Sequence, residues 1–168
     1  MPFYAMGILF DRVPTSDALQ SVEKDSVRFQ ALSPSLLRLE YSPRARFVDE
    51  PSVAVVGRAG WPGAPIQTDE AEGWLSLSTE RIRASYKLGT GPFSAENLRI
   101  AWEDASGIHA WRPGDRDEKN LGGIPAQLDG RSTTAVTEPG PLSRNGYYHL
   151  DDSGTALFDL DTNWVKPR

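Results

Sequence analysis

The sequence predicts an all-β fold, an antiparallel β-sandwich. Three observations carry that expectation. Short runs alternate apolar and polar residues with period two, which marks strands buried on one face. These runs recur at about the 8–12-residue spacing of a sandwich or barrel. The chain of 168 residues holds 15 glycines and 13 prolines, and no amphipathic stripe of three helical turns interrupts them. No internal repeat is present, which argues against a propeller or solenoid.

Residues 1–10 read as a late-pairing strand or an ordered lead-in, and 11–25 as a polar loop with one helical turn near 18–22. Val27, Phe29 and Ala31 share one strand face, and Leu37, Leu39 and Tyr41 share another. The short Ser33-Pro34-Ser35 connection makes the two an antiparallel hairpin. The apolar run 52–56 suggests a strand covered on both faces, and the Gly- and Pro-rich segment 57–68 a loop. Strands are then expected at 74–78, 81–88, 97–102 and 108–111. That makes about eight before Trp111. Beyond it, 112–119 is a mixed-charge loop, 128–130 a turn, 132–136 a short strand and 156–160 a final strand. The implied organisation is a lead-in over 1–25, a sandwich over 26–160, and at 161–168 a linker cut in its middle.

Composition narrows function. A hydrophobic content of 39% and a charge content of 24% suit one globular domain. The net charge of −5, spread evenly over both halves, argues against a nucleic-acid or anionic-membrane surface. With no cysteine, disulfides, thiolate metal sites and a cysteine nucleophile are excluded. The first ten residues are too short to span a bilayer and lack the basic flank of a secretory signal. A soluble, cytoplasmic protein is expected, with no membrane partner.

Most local motifs favour plain readings. Gly89-Thr90-Gly91-Pro92 lacks the third glycine and the following helix that phosphate binding requires, so it reads as a hairpin turn. His109 and His149 are the only histidines, and neither belongs to a metal-ligand spacing. Asp151-Asp152-Ser153-Gly154 lacks the twelfth-position glutamate of a calcium loop and reads as a turn. No Gly-x-Ser-x-Gly elbow exists. No metal or cofactor is expected.

One stretch stands apart. Residues 139–153 combine Pro139-Gly140-Pro141, Arg144, the turn signal Asn145-Gly146, Tyr147, Tyr148, His149 and two carboxylates. So specified a loop is either a tight connection or a functional rim. With two other stretches, 32–41 followed by 47–52, and Asn120-Leu121-Gly122-Gly123 followed by Leu128-Asp129-Gly130, it resembles in order and spacing the N-terminal β-sandwich of glycoside hydrolase family 31, the retaining α-glucosidases and α-xylosidases. The likeness runs from about Ser26 to the C-terminus.

The resemblance implies a galactose-mutarotase-like sandwich that precedes a (β/α)₈ barrel carrying both catalytic aspartates. It implies that this segment has no catalytic residues of its own and is inactive alone. It also implies that the sandwich lends a loop to the pocket for an α-linked oligosaccharide or glycoside. The Arg-Asp step of that loop matches Arg144-Asn145 here, with Asn145 in place of the aspartate often found. An amide donates and accepts without charge, so a different subsite preference, or a simple turn, is open at Asn145. The alternatives are a freestanding carbohydrate-binding module, motivated by five Trp and five Tyr, and a purely structural interaction domain. Under the first alternative, Trp74, Trp102 and Trp111 are weighed as core residues from their strand positions.

Overall fold

The structure is a computed structural model that describes residues 20–57, 60–123, 138–159, 161–162 and 164–168. The described residues contain strands and turns and no α-helix, so the fold is all-β. One compact unit comprises the described residues through Gly114 together with Thr155–Arg168, and Asp115–Gly154 forms a second.

In the first unit, β1 (Ser21–Lys24), β2 (Val27–Ser33) and β3 (Leu36–Tyr41) make a three-stranded sheet in that order. A five-stranded meander follows, of β4 (Gln67–Ala71), β5 (Trp74–Ser78), β6 (Ile82–Lys87), β7 (Leu98–Asp104) and β8 (Gly107–Trp111). A ribbon of β9 (Leu157–Asp159) and β10 (Trp164–Lys166) closes the unit. Every pairing between strands is antiparallel.

The alternation read from sequence explains why the two larger sheets stack. Val27 and Phe29 of β2 meet Leu75 and Leu77 of β5, Ala84 and Tyr86 of β6, and Leu98 of β7 in one buried cluster. This is the core of a sandwich. Phe93, from the β6–β7 connection, wedges into it, its ring 6.0 Å from Phe29 and 5.4 Å edge-on to Tyr86. Burial of each large side chain contributes about 1.5–3 kcal/mol. The Tyr86 hydroxyl donates to Gly91 O at 2.5 Å, so the phenol satisfies its polar end at the turn.

Period two also assigns Arg28 and Gln30 to solvent, yet they are only 5% and 9% exposed. Arg28 Nε and Nη2 donate to Glu40 Oε2 at 2.8 and 2.5 Å, and Nη2 lies 2.8 Å from Asp49 Oδ1. Arg38 Nη2 donates to Glu40 Oε1 at 2.8 Å and to the Val48 carbonyl, while Nη1 donates to Gln30 Oε1 at 2.9 Å. The Phe47 ring lies 5.0 Å from the Arg28 guanidinium. The segment after β3 thus covers the polar face of β2 and β3, with charges paired beneath it.

Several expectations are corrected. Of the helical turn near 18–22, residues 18–19 lie outside the described residues, while Ser21 and Val22 belong to β1, where Val22 pairs with Phe29 once Asp25 turns the chain at φ 51°. Residues 52–56 form no strand covered on both faces. Ser52 bridges Leu157, its hydroxyl and carbonyl accept the Val55 amide in a turn, and Val53 and Val56 are half exposed. Gln67 and Thr68, expected in a loop, begin β4, which is exposed along its length and takes its register from β5 alone. Within the expected linker, Trp164–Lys166 pairs with β9, and Lys166 Nζ donates to Glu50 Oε1 at 2.9 Å. The lead-in over 1–10, the turn at 128–130 and the strand at 132–136 lie outside the described residues.

Candidate functional site

The second unit holds the stretch that the sequence singles out. Its described part is three crossing segments tied by backbone pairs. Leu121 N donates to Leu142 O, Asn120 bridges Ser143, and Leu142 bridges Tyr148. The bend at Arg144-Asn145-Gly146 closes the hairpin. Gly146 N donates to Ser143 O at 3.2 Å, Ser143 N to Tyr147 O at 3.0 Å, and Gly146 takes φ 81°. Only the glycine needs the left-handed region here, since Asn145 is not among the residues with positive φ.

Two polar side chains position that bend. Asn120 Oδ1 accepts from Gly122 N at 2.8 Å and Gly140 N at 2.7 Å, and its Nδ2 donates to Gly140 O at 2.8 Å. It copies a backbone partner for Gly140. Gly140 must lack a side chain, because a Cβ there would stand 2.4 Å from Gly122 O. Asp117 accepts from Lys119 N at 3.1 Å, Asn120 Nδ2 at 3.3 Å and Asn145 Nδ2 at 3.2 Å. Burial would raise the Asp117 carboxyl, but hydrogen bonds from Ser143, Lys119 N, Asn120 and Tyr147 outweigh it and hold it below the usual range. Burial, followed by the bond to Asp117, pushes the Tyr147 phenol up.

The two expected site residues therefore stand together at one tip. Arg144 is exposed, its amide donates to Lys119 O at 3.0 Å, and its guanidinium makes no hydrogen bond or ion pair among the described residues. Asn145 is half-buried. Its amide nitrogen is engaged by Asp117, which leaves Oδ1 as the acceptor it can present. A donor fork beside one acceptor suits adjacent hydroxyls of a polar ligand. A carboxylate at position 145 would instead set two like charges at hydrogen-bond distance.

Asp117 and the bracing role of Asn120 escaped sequence reasoning. Asp117 sat in a run that looked like a solvated charged loop. The available signal was the glycine pair Gly122-Gly123 facing the Pro-Gly-Pro of 139–141, which announces close backbone approach.

The remaining motifs resolve locally. Asp151 Oδ1 accepts from Ser153 N at 2.9 Å and Ser153 Oγ at 2.5 Å, as a turn requires. Gly89 and Gly91 take φ 72° and 87° in a hairpin, and no helix follows among the described residues. His109 stacks on Trp102 at 5.4 Å, and its Nε2 lies 2.9 Å from both Asp104 Oδ1 and Ser106 Oγ. One nitrogen meets both partners, so this trio is not a relay in which each imidazole nitrogen holds a different group. Among the described residues no group of three His, Cys, Asp or Glu could hold a metal ion, and no helix is long and apolar enough to cross a membrane.

Comparison with protein-family models yields no match, and none of the curated proteins matches the chain.

Proposed function

We propose that the chain is the non-catalytic N-terminal sandwich of a retaining α-glycosidase of the family 31 type, packing on a catalytic barrel and lending the Arg144-Asn145 bend to the substrate pocket. The ordered motifs and the antiparallel sandwich support this reading, and the family models give it no support. The observation that carries it is the bend itself. Asp117 and Asn120 brace it from below, while the Arg144 guanidinium and Asn145 Oδ1 remain for a ligand. The substrate class is an α-linked glucoside or xyloside, the reaction is hydrolysis, and the aspartates that perform it belong to the barrel. On this reading Asn145 keeps the subsite's acceptor neutral beside Asp117.

The test is kinetic. In the native polypeptide, Arg144→Ala should lower kcat/KM on an aryl α-glucoside or α-xyloside by about tenfold or more, the loss of about 1.4 kcal/mol of transition-state binding. An unchanged kcat/KM in both Arg144→Ala and Asn145→Ala would remove the bend from the substrate pocket.

A further inference from the structure

The outer face of the five-stranded sheet carries a second feature, within the first unit and independent of any barrel. Pairing places Ser76 opposite Ser85 and Ser78 opposite Arg83. It places Asp69 opposite Ser76 and Arg99 opposite Ser85. The Ser76 and Ser85 hydroxyls lie 3.0 Å apart, which confirms the shared face. The residues enriched in strands are β-branched and aromatic. Here serines occupy the middle of β5 and β6, and a shallow cavity of about 230 Å³ opens beside them, lined by Asp69, Ser76, Ser78 and Arg83 among others. Local preference is violated most often where a site is built.

Arg99 reaches over Ser85 to lie 4.9 Å from the Trp74 ring, so Trp74 belongs to this outer face and not to the core expected from its strand position. Neither Arg83 nor Arg99 makes an ion pair or hydrogen bond among the described residues, and Asp69 accepts none. Two guanidinium forks, one carboxylate and neighbouring hydroxyls on a protein of net charge −5 form a mixed donor–acceptor surface with local positive excess.

We infer that this valley binds a uronic-acid unit, a sugar ring bearing a carboxylate. The carboxylate meets the fork of Arg83 or Arg99 in the bidentate geometry that guanidinium favours. Ring hydroxyls donate to Asp69 and exchange hydrogen bonds with Ser76 and Ser78. An acidic peptide offers the carboxylate without the ring of adjacent hydroxyls that Asp69, Ser76 and Ser78 would meet. The cavity is smaller than the ~300–1,000 Å³ of drug-sized sites, which fits one ring and not a long chain enclosed in a cleft.

Titration of the 168-residue protein with D-glucuronate, followed by amide shifts in nuclear magnetic resonance, tests this. Saturable shifts centred on Ser76, Ser85 and Arg83 are expected, with D-glucose binding at least about tenfold more weakly for want of the charge-assisted pair. Arg83→Ala and Arg99→Ala change exposed side chains, so both proteins should fold. At least one should weaken glucuronate about tenfold, and the corresponding Lys variant should recover part of the loss. Absence of saturable shifts, shifts mapping elsewhere, or affinity unchanged from the parent in both alanine variants would overturn the inference. Equal binding of sulfate would overturn it too, by reducing the valley to an unselective anion patch.

Discussion

Asp104 shows how an exposed carboxylate can still matter to the fold. Hydrogen bonds from Ser106 Oγ, from His109 and from Ser106 N hold its pKa down to about 2, against an ordinary 3.8. A carboxyl depressed in the folded state adds stability above its unfolded pKa and loses it as the pH falls through the folded value. Asp104→Asn should therefore be less stable than the parent at about pH 5. The gap should close between about pH 4 and pH 2, which urea unfolding at stepped pH would record. A gap that persists unchanged at pH 2 would mean that the turn does not depend on this charge. At the bend, Asn145 illustrates the same scale, since its role follows from which of its two atoms Asp117 occupies.

Among the elements, β2, β3 and the segment that follows them form one charged assembly. Glu40 accepts from both Arg28 and Arg38, and the Arg28 side chain is only 6% exposed. Removing one partner of a buried pair strands the other. Glu40→Ala should cost about 3 kcal/mol in chemical denaturation, the lower end for a broken buried pair because Asp49 still meets Arg28. A cost below ~1 kcal/mol, that of a surface ion pair, would contradict the assignment. The elements also explain what was legible. β2, β3 and β5 to β7 were visible because one face of each meets the core, so apolar residues repeat every second position. β4 was not, because all five of its residues are exposed and no core-facing side marks it with apolar alternation. The run 52–56 misled because its valines are apolar without being covered, and Ser52 turns the chain. The burial of Arg28 was illegible because alternation names a polar face without saying that a later segment covers it.

At the scale of the whole molecule, the sandwich and the unit Asp115–Gly154 are held by different physics. The first rests on a hydrophobic cluster, and the described part of the second on backbone pairs and the Asn120 and Asp117 side chains. Gly140→Ala should disturb only the second, at about 1–3 kcal/mol for forcing a methyl against the Gly122 backbone. Hydrogen exchange should then quicken at Gly122, Gly140 and Ser143 while the amides of β5 to β7 keep their protection; uniform loss would show the two units unfolding as one. The Arg144-Asn145 pair was legible as a candidate from its turn chemistry and polar density. Its bracing was not, since Asp117 and Asn145 are far apart in the chain. The proposed service of this sandwich to a catalytic barrel is tested by the sequence of the native polypeptide on the C-terminal side of Arg168. A continuation of about 250 residues or more with alternating strands and helices and aspartates at strand ends is expected. A native polypeptide that terminates at Arg168, or continues into an unrelated domain, would contradict it.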